Sequence, residues 1–220
     1  MAIYLIRHGL SEGNNKGVYQ GGMDFPLTKF GKMQAQALGR WLNQYGAEPA
    51  VIYSSPLARA VQTAQELALL NGEVEVRTDP DLKEFGGGKI EGLKFEEARE
   101  KYPEFEQRTL HQRCDMSEYG GESYEQVHER ISRFIAVIED RHGDENILVV
   151  SHGGTLHQML CRWCGYPVPR HVLTRFSNCC CHKLELGEVA GTRIARIQWF
   201  VTLELIAPDV AKSPVNPGRF

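Results

Sequence analysis

Two histidines stand out because each follows a short, wholly apolar run and precedes a glycine. Ile3-Tyr4-Leu5-Ile6 leads into Arg7-His8-Gly9, and Ile147-Leu148-Val149-Val150 leads into Ser151-His152-Gly153-Gly154. Runs of four large apolar residues suit strands buried on both faces, as parallel strands are, and such strands present their functional groups where they end. Two of them bring two imidazoles to one sheet edge, where glycine lets the backbone approach a ligand closely. A lone histidine after a strand is more often a hydrogen-bonded turn residue than a catalyst, so it is the recurrence that points to chemistry.

Arg59 is the third candidate. It lies in the first turn of a helix expected to open at Ser55 as N-cap and Pro56 as first-turn proline. Backbone N–H groups and the helix dipole already favour an anion there, so an arginine at that end wants something negative beside it. Judged alone, Arg59 reads equally well as a surface side chain. Arg7, His8, Arg59 and His152 gathered in one pocket of a chain of net charge -3 select a compact, doubly charged anion. Phosphate fits best, since arginine forks match its oxygens and keep their charge near neutral pH. Asn14 and Gln20, in a polar, glycine-rich loop from Leu10 to Pro26, add amide donors.

The elements that must position these residues alternate in type. Thr28 caps a helix with Ala35, Leu38, Trp41, Leu42 and Tyr45 on one stripe and Gly46 at its end. Ala50–Ser54 reads as a core strand, followed by a helix with Leu57, Ala60, Val61, Ala64, Leu67 and Ala68 inside. A short strand is expected at 74–76, then Glu84 beside Gly86-Gly87-Gly88. The stretch 93–122, polar and mixed, reads as an insertion covering the site, with a short helix near Phe95–Ala98. Within it Arg108, His111 or Arg113 is expected to bind a second acidic group of a substrate, against the simpler reading of a solvated charged face. Ser123 with Gln126 forms a capping box for a helix through Val127, Ile131, Phe134, Ile135 and Ile138. Closing strands are expected at Leu184–Leu186 and Ile194–Leu203, and a loosely ordered tail at 208–220. Alternation of this kind predicts a three-layer α/β/α sandwich over 1–207, with a mostly parallel central sheet.

At 220 residues, with 42% hydrophobic and 24% charged residues, the composition is that of an ordinary globular domain with a sizeable core. No excess of positive charge points to nucleic acid. No apolar run reaches membrane-spanning length, and Met1-Ala2 runs straight into a strand, so a cytoplasmic protein without a leader is expected. Six cysteines, Cys114 and the clusters Cys161/Cys164 and Cys179-Cys180-Cys181, read as reduced, buried thiols. Read as zinc ligands they conflict with the helical and strand patterns, which turn neighbouring residues to different faces.

Taken in order, Arg7-His8-Gly9, Asn14, Pro26-Leu27-Thr28, Ser54-Ser55-Pro56-Leu57-x-Arg59-Ala60-x-Gln62-Thr63-Ala64, Leu82-x-Glu84, Glu91-Gly92, Gly121-Glu122-Ser123 and Ser151-His152-Gly153-Gly154 resemble the histidine phosphatase superfamily, specifically its phosphoglycerate-mutase-like branch. The resemblance implies that His8 takes the phosphoryl group, that Arg7, Arg59 and His152 hold its oxygens with Asn14, Gln20 and Gly153, and that Glu84 is the proton donor. It implies no metal and no cofactor. The expected partner is a small phosphorylated metabolite, bound by a monomer or a homodimer. Leu10-Ser11 stands where mutases of the family commonly carry glutamate, and Phe85–Gly92 lacks their arginine- and tyrosine-containing signature. Both departures favour a phosphomonoester hydrolase over a phosphoglycerate mutase, and either over a catalytically idle phosphate-binding protein.

Overall fold

The computed structural model describes residues 1–108, 112, 115–165, 176–189 and 192–211, and over them the alternating runs assemble an α/β sandwich. The strands β1 (Ala2–Arg7), β2 (Val51–Ser54), β3 (Val76–Thr78), β4 (Ile147–Ser151), β5 (Cys181–Val189) and β6 (Thr192–Val201) form one sheet in the order β3-β2-β4-β1-β5-β6. Pairings from β3 to β1 are parallel, whereas β5 and β6 run antiparallel. The mostly parallel reading therefore describes the part of the sheet that carries the candidate residues. β5 and β6 are too close in sequence for a crossover and can only pair as a hairpin.

Successive strand residues face opposite sides, and both sides are covered. Ile3 and Leu5 pack with Val127, Ile131 and Phe134 of α6 (Tyr124–His142) and Leu156, Met159 and Leu160 of α7 (Gly153–Trp163). Tyr4 and Ile6 pack with Ala35, Leu38 and Leu42 of α2 (Lys29–Tyr45) and Ala60, Ala64 and Leu67 of α3 (Ala58–Leu70). Burial on two faces is why these strands show no polar alternation. The cysteines obey the same rule: Cys179 and Cys181 fall in one core and Cys180 in the other, so neighbours cannot converge on one ion. Burial pushes the Cys180 thiol up to about 12 and Cys161 to about 11. Cys114 lies outside the described residues.

Local chemistry sets the boundaries. Thr28 Oγ1 accepts from Gly31 N at 2.9 Å, and Gly46, at φ 76°, ends α2. Ser123 and Gln126 form their reciprocal cap on α6. The start of α3 differs from expectation. The helix opens at Ala58, after Leu57, and Asp24 Oδ1 rather than Ser55 accepts the Ala58 N–H, at 2.6 Å. β3 begins two residues later than the apolar pattern indicated, and the loop after Gly9 contains a one-turn helix, α1 (Glu12–Asn15), capped by Ser11. Pro208–Val210 form a turn whose Val210 carbonyl accepts from Gln34 Nε2 and whose side chains pack against the α2 core, where an extension was expected to begin. The rest of that tail, 212–220, is outside the described residues. In the 93–122 stretch, α4 (Phe95–Lys101) and α5 (Pro103–Gln107) gather a small core of Ile90, Phe105, Met116 and Tyr119. Tyr19 packs against it, with ring centroids 4.8 Å from Phe95 and 5.4 Å from Phe105. The insertion thus braces the Leu10–Pro26 loop. Among the described residues no helix is long and apolar enough to cross a membrane.

Backbone segments approach one another closely beside His8. A Cβ on Gly9 would sit 2.5 Å from Gly31 O, and one on Gly31 would sit 2.1 Å from Leu10 O. Gly31→Ala gains helix propensity of about 1 kcal/mol, but overpacking against backbone that cannot rotate away costs about 2 to 3 kcal/mol. The variant is expected to be less stable than the parent, measured as a lower urea midpoint at unchanged slope.

Candidate active site

Strand register brings the candidates together. β1 and β4 are parallel neighbours with Arg7 opposite Ser151, and β2 lies on the far side of β4 with Ser54 opposite Val150. The segments that follow, His8-Gly9, His152-Gly153 and Ser55-Pro56, therefore leave the sheet side by side at its carboxyl edge. The His8 and His152 rings lie 5.2 Å apart.

His8 leaves one ring nitrogen bare. Its Nδ1 is 2.7 Å from Gly9 O, an acceptor only, so Nδ1 carries the proton and donates it. Nε2 then holds the lone pair, and it has no hydrogen-bond partner among the described residues. Burial, then the charges of Arg59 and Arg7, keep the ring well below its ordinary pKa, although the Gly9 contact acts the other way. Gly9 N donates to Thr63 Oγ1 at 3.0 Å, and Asn178 Nδ2 donates to His8 O at 2.9 Å, which fixes the backbone on both sides of the ring.

The cations are fixed by carbonyls. Arg59, 1% exposed, donates from Nη1 to Met23 O at 2.7 Å, from Nη2 to Gly21 O at 2.8 Å, and from Nε to His152 Nδ1 at 3.2 Å. Burial lowers its pKa to about 10, with Glu84 opposing, so it stays protonated near neutral pH. Two of its five N–H bonds remain unassigned. Arg7 donates from Nη1 to Phe176 O at 2.6 Å, and its Nε is sealed from solvent with no partner among the described residues. A buried unpaired guanidinium N–H is costly, and an anionic oxygen is the natural partner for it.

His152 is held at both nitrogens. Arg59 Nε can only donate, so His152 Nδ1 accepts, and Nε2 lies 2.8 Å from Ser55 Oγ. Burial first, then Arg59, hold this ring too well below its ordinary pKa. Asn14 and Gln20 turn their amide oxygens toward Ser11: Ser11 Oγ lies 2.9 Å from Asn14 Oδ1 and 2.7 Å from Gln20 Oε1. Asn178 also reaches Asn14 Oδ1, at 3.4 Å. With their oxygens occupied, both amides keep their N–H groups as donors. Gly13 makes room for Gln20, since a Cβ there would lie 2.5 Å from its Cγ.

Glu84 reaches the same edge from the far side. Its carboxylate sits on the first turn of α7, accepting from Gly154 N at 3.2 Å, from Thr155 N at 3.1 Å and from Phe85 N at 3.2 Å. The glycine loop behind it is tied by two more carboxylates. Glu122 accepts from Gly86 N at 2.8 Å while paired with buried Arg130, and Glu91 Oε1 accepts from both Gly87 N and Gly22 N at 2.7 Å. Glu91 thus joins the Glu84 loop to the loop whose carbonyls hold Arg59. Sequence reasoning gave no role to Asp24, Thr63 or Asn178, because each acts on backbone far from it in the chain and no local pattern marks that.

The family model of the histidine phosphatase superfamily (branch 1) matches residues 3–198. The chain belongs to this superfamily. It is 36% identical over 163 residues, 74% of this chain and 76% of the relative, to phosphoserine phosphatase 1 of Hydrogenobacter thermophilus. It is 30% identical over 162 residues, 72% of this chain and 79% of the relative, to a 2,3-bisphosphoglycerate-dependent phosphoglycerate mutase of Mesorhizobium japonicum. Among solved structures, a mycobacterial glucosyl-3-phosphoglycerate phosphatase in complex with VO3 aligns with TM-score 0.78 at 27% identity, covering 90% of this chain and 96% of that one.

The expectation of a second acidic-group site at Arg108, His111 or Arg113 meets the structure at Arg108 alone. Arg108 does not present a free charge, because its guanidinium pairs with Glu118 and donates to Gln112 O and Asp115 O, at 3.4 and 3.1 Å. The adjoining cavity of about 390 Å³ has Asp115, Glu118 and Glu125 against the one arginine, the wrong sign for a second acidic group. His111 and Arg113 lie outside the described residues. The neutral histidines carry a stability consequence. His8, His152 and His182, the last lowered to about 4 by burial, are uncharged in the folded chain below pH 6.5, where the unfolded chain protonates them. The unfolded state then binds more protons, so stability is expected to drop as the pH is lowered, by up to about 1.4 kcal/mol per unit for each ring. Urea unfolding between about pH 7 and 5 measures the slope, and His182→Phe should reduce it.

Proposed function

We propose that this protein is a metal-independent phosphatase that hydrolyses small phosphomonoesters through a phosphohistidine on His8. The observation that carries the reading is the pairing of a bare, unprotonated His8 Nε2 with the buried Arg7 Nε–H, which lacks an acceptor among the described residues. Phosphoryl transfer asks little covalent chemistry of a protein beyond an in-line nucleophile and fixed positive charge on the equatorial oxygens. Arg7 and Arg59 supply that charge here, and Asn14, Gln20 and the Gly153 backbone line the same edge.

In the first step His8 Nε2 bonds to phosphorus as the P–O ester bond breaks, and Glu84, as the carboxylic acid, gives its proton to the departing alkoxide. In the second, water attacks the phosphohistidine, Glu84 takes a proton from that water, and the P–N bond breaks to release phosphate. Hydrogen bonds from the start of α7 suit Glu84 as a carboxylate between the steps.

Relatives are named for both hydrolysis and mutase chemistry. Hydrolysis is favoured because the rim after Glu84 is built of glycines tied by Glu91 and Glu122, and Lys89 is the one basic residue between Phe85 and Gly92. A substrate carboxylate finds little to grip there. Incubation with a panel including phosphoserine, phosphoglycerate and glucosyl-3-phosphoglycerate in excess EDTA is expected to release phosphate from at least one. Rapid interconversion of phosphoglycerates without free phosphate would refute the hydrolase reading. His8→Ala is expected to abolish turnover and the acid-labile phosphoenzyme trapped by rapid quench. In Gly154→Ala the new Cβ would lie 2.8 Å from Glu84 Oε1 and 2.7 Å from the Phe85 ring. Displacing the acid in this way should lower kcat by about 100-fold for esters with poor leaving groups, and much less for p-nitrophenyl phosphate, which needs no proton.

A further inference from the structure

Ser55 is fully buried and, with Asp24 holding the start of α3, is not spent on capping that helix. Its Oγ accepts the Leu57 N–H at 3.3 Å and lies 2.8 Å from His152 Nε2. The direction of that second bond follows from the other side of the ring. Arg59 Nε has no lone pair to offer, so His152 Nδ1 accepts and the single proton of the neutral imidazole sits on Nε2. The ring therefore donates to Ser55, and an unbroken series runs from the end of β2 through His152 to the Arg59 fork.

We propose that Ser55 is a positioning residue of the reaction, fixing the His152 ring by its outer nitrogen and, through that ring, the plane of the Arg59 guanidinium. The geometry gives the series a direction. Ser55 is anchored by the strand it ends, its neighbour Ser54 pairing in register with Val150, and by the Leu57 amide. The His152 ring has no other hydrogen-bond partner than Ser55 and Arg59 among the described residues. Without the hydroxyl, Nε2–H becomes a buried donor with no acceptor, and the ring can relieve it only by turning or by admitting water. Either movement takes Nδ1 away from Arg59 Nε and leaves the fork held by the Gly21 and Met23 carbonyls alone.

The activity arm of the test rests on the phosphatase reading; the spectroscopic arm does not. In a two-bond proton–nitrogen spectrum of the 15N-labelled protein, His152 is expected as a single Nε2–H tautomer with a slowly exchanging ring proton, and that proton should exchange freely in Ser55→Ala. With the best substrate of the panel, Ser55→Ala should lower kcat by about ten-fold with KM changed by less than about three-fold. The same substitution made in a His152→Gln background should cost less than about two-fold further, because its effect travels through the ring. Equal losses in the two backgrounds, or parental kcat together with a protected ring proton in Ser55→Ala, would overturn the proposal. If the parent protein releases no phosphate from any ester, the phosphatase reading fails by itself and the ring spectrum still decides whether Ser55 holds His152.

Discussion

Two guanidinium groups are held beside two imidazoles that must stay neutral, with almost no water to screen them, and the rest of the structure exists around that constraint. Moving a charge out of water costs several kcal/mol unless dipoles or counter-charge replace the solvent. Here the replacement is mostly backbone: Phe176 O on Arg7, Gly21 O and Met23 O on Arg59, with the Glu84 carboxylate across the edge. The compensation is incomplete, since Arg7 Nε is left without a partner among the described residues. A site that repels itself when empty is one that a dianion relieves, and in a low-dielectric edge that attraction counts for more than it would in water.

The same constraint explains the use of acidic side chains near the site. Asp24, Glu91 and Glu122 accept backbone N–H groups of Ala58, of Gly22 and Gly87, and of Gly86. Carboxylates so placed hold loops in shape without reaching into the cradle to fill it. The loops need holding because they are built of glycine, and they are built of glycine because backbone must come close. Gly9 against Gly31, Gly13 against Gln20 and Gly154 against Glu84 each leave no room for a Cβ. Close approach and conformational freedom come together, and the carboxylates remove the second while keeping the first.

The fold was largely legible in the chain because burial on two faces writes itself into composition. Continuous apolar runs at Ile3–Ile6 and Ile147–Val150 and helical stripes such as Ala35, Leu38 and Leu42 pointed to a covered parallel sheet, and the register brought both histidine segments to one edge. Boundaries were less legible. Ser55-Pro56 has the local form of a helix start, yet the helix opens at Ala58 because a carboxylate 34 residues earlier satisfies its first amide. Arg108 looked like a free cation since sequence does not display the Glu118 carboxylate that folds back onto it.

What the sequence determined by itself was the set of reactive groups and the edge at which they appear. Side-chain type, apolar run length and glycine position are local quantities, and pairing of parallel strands turns them into a common location. What only the tertiary structure decided was the state of those groups: which nitrogen of His8 is bare, which proton His152 carries, and which guanidinium bonds are already taken. These depend on single acceptors such as Gly9 O, Ser55 Oγ and Gly21 O lying within hydrogen-bond reach. A hydrogen bond is set by distances of a few tenths of an ångström, and separation along the chain carries no record of distances that small.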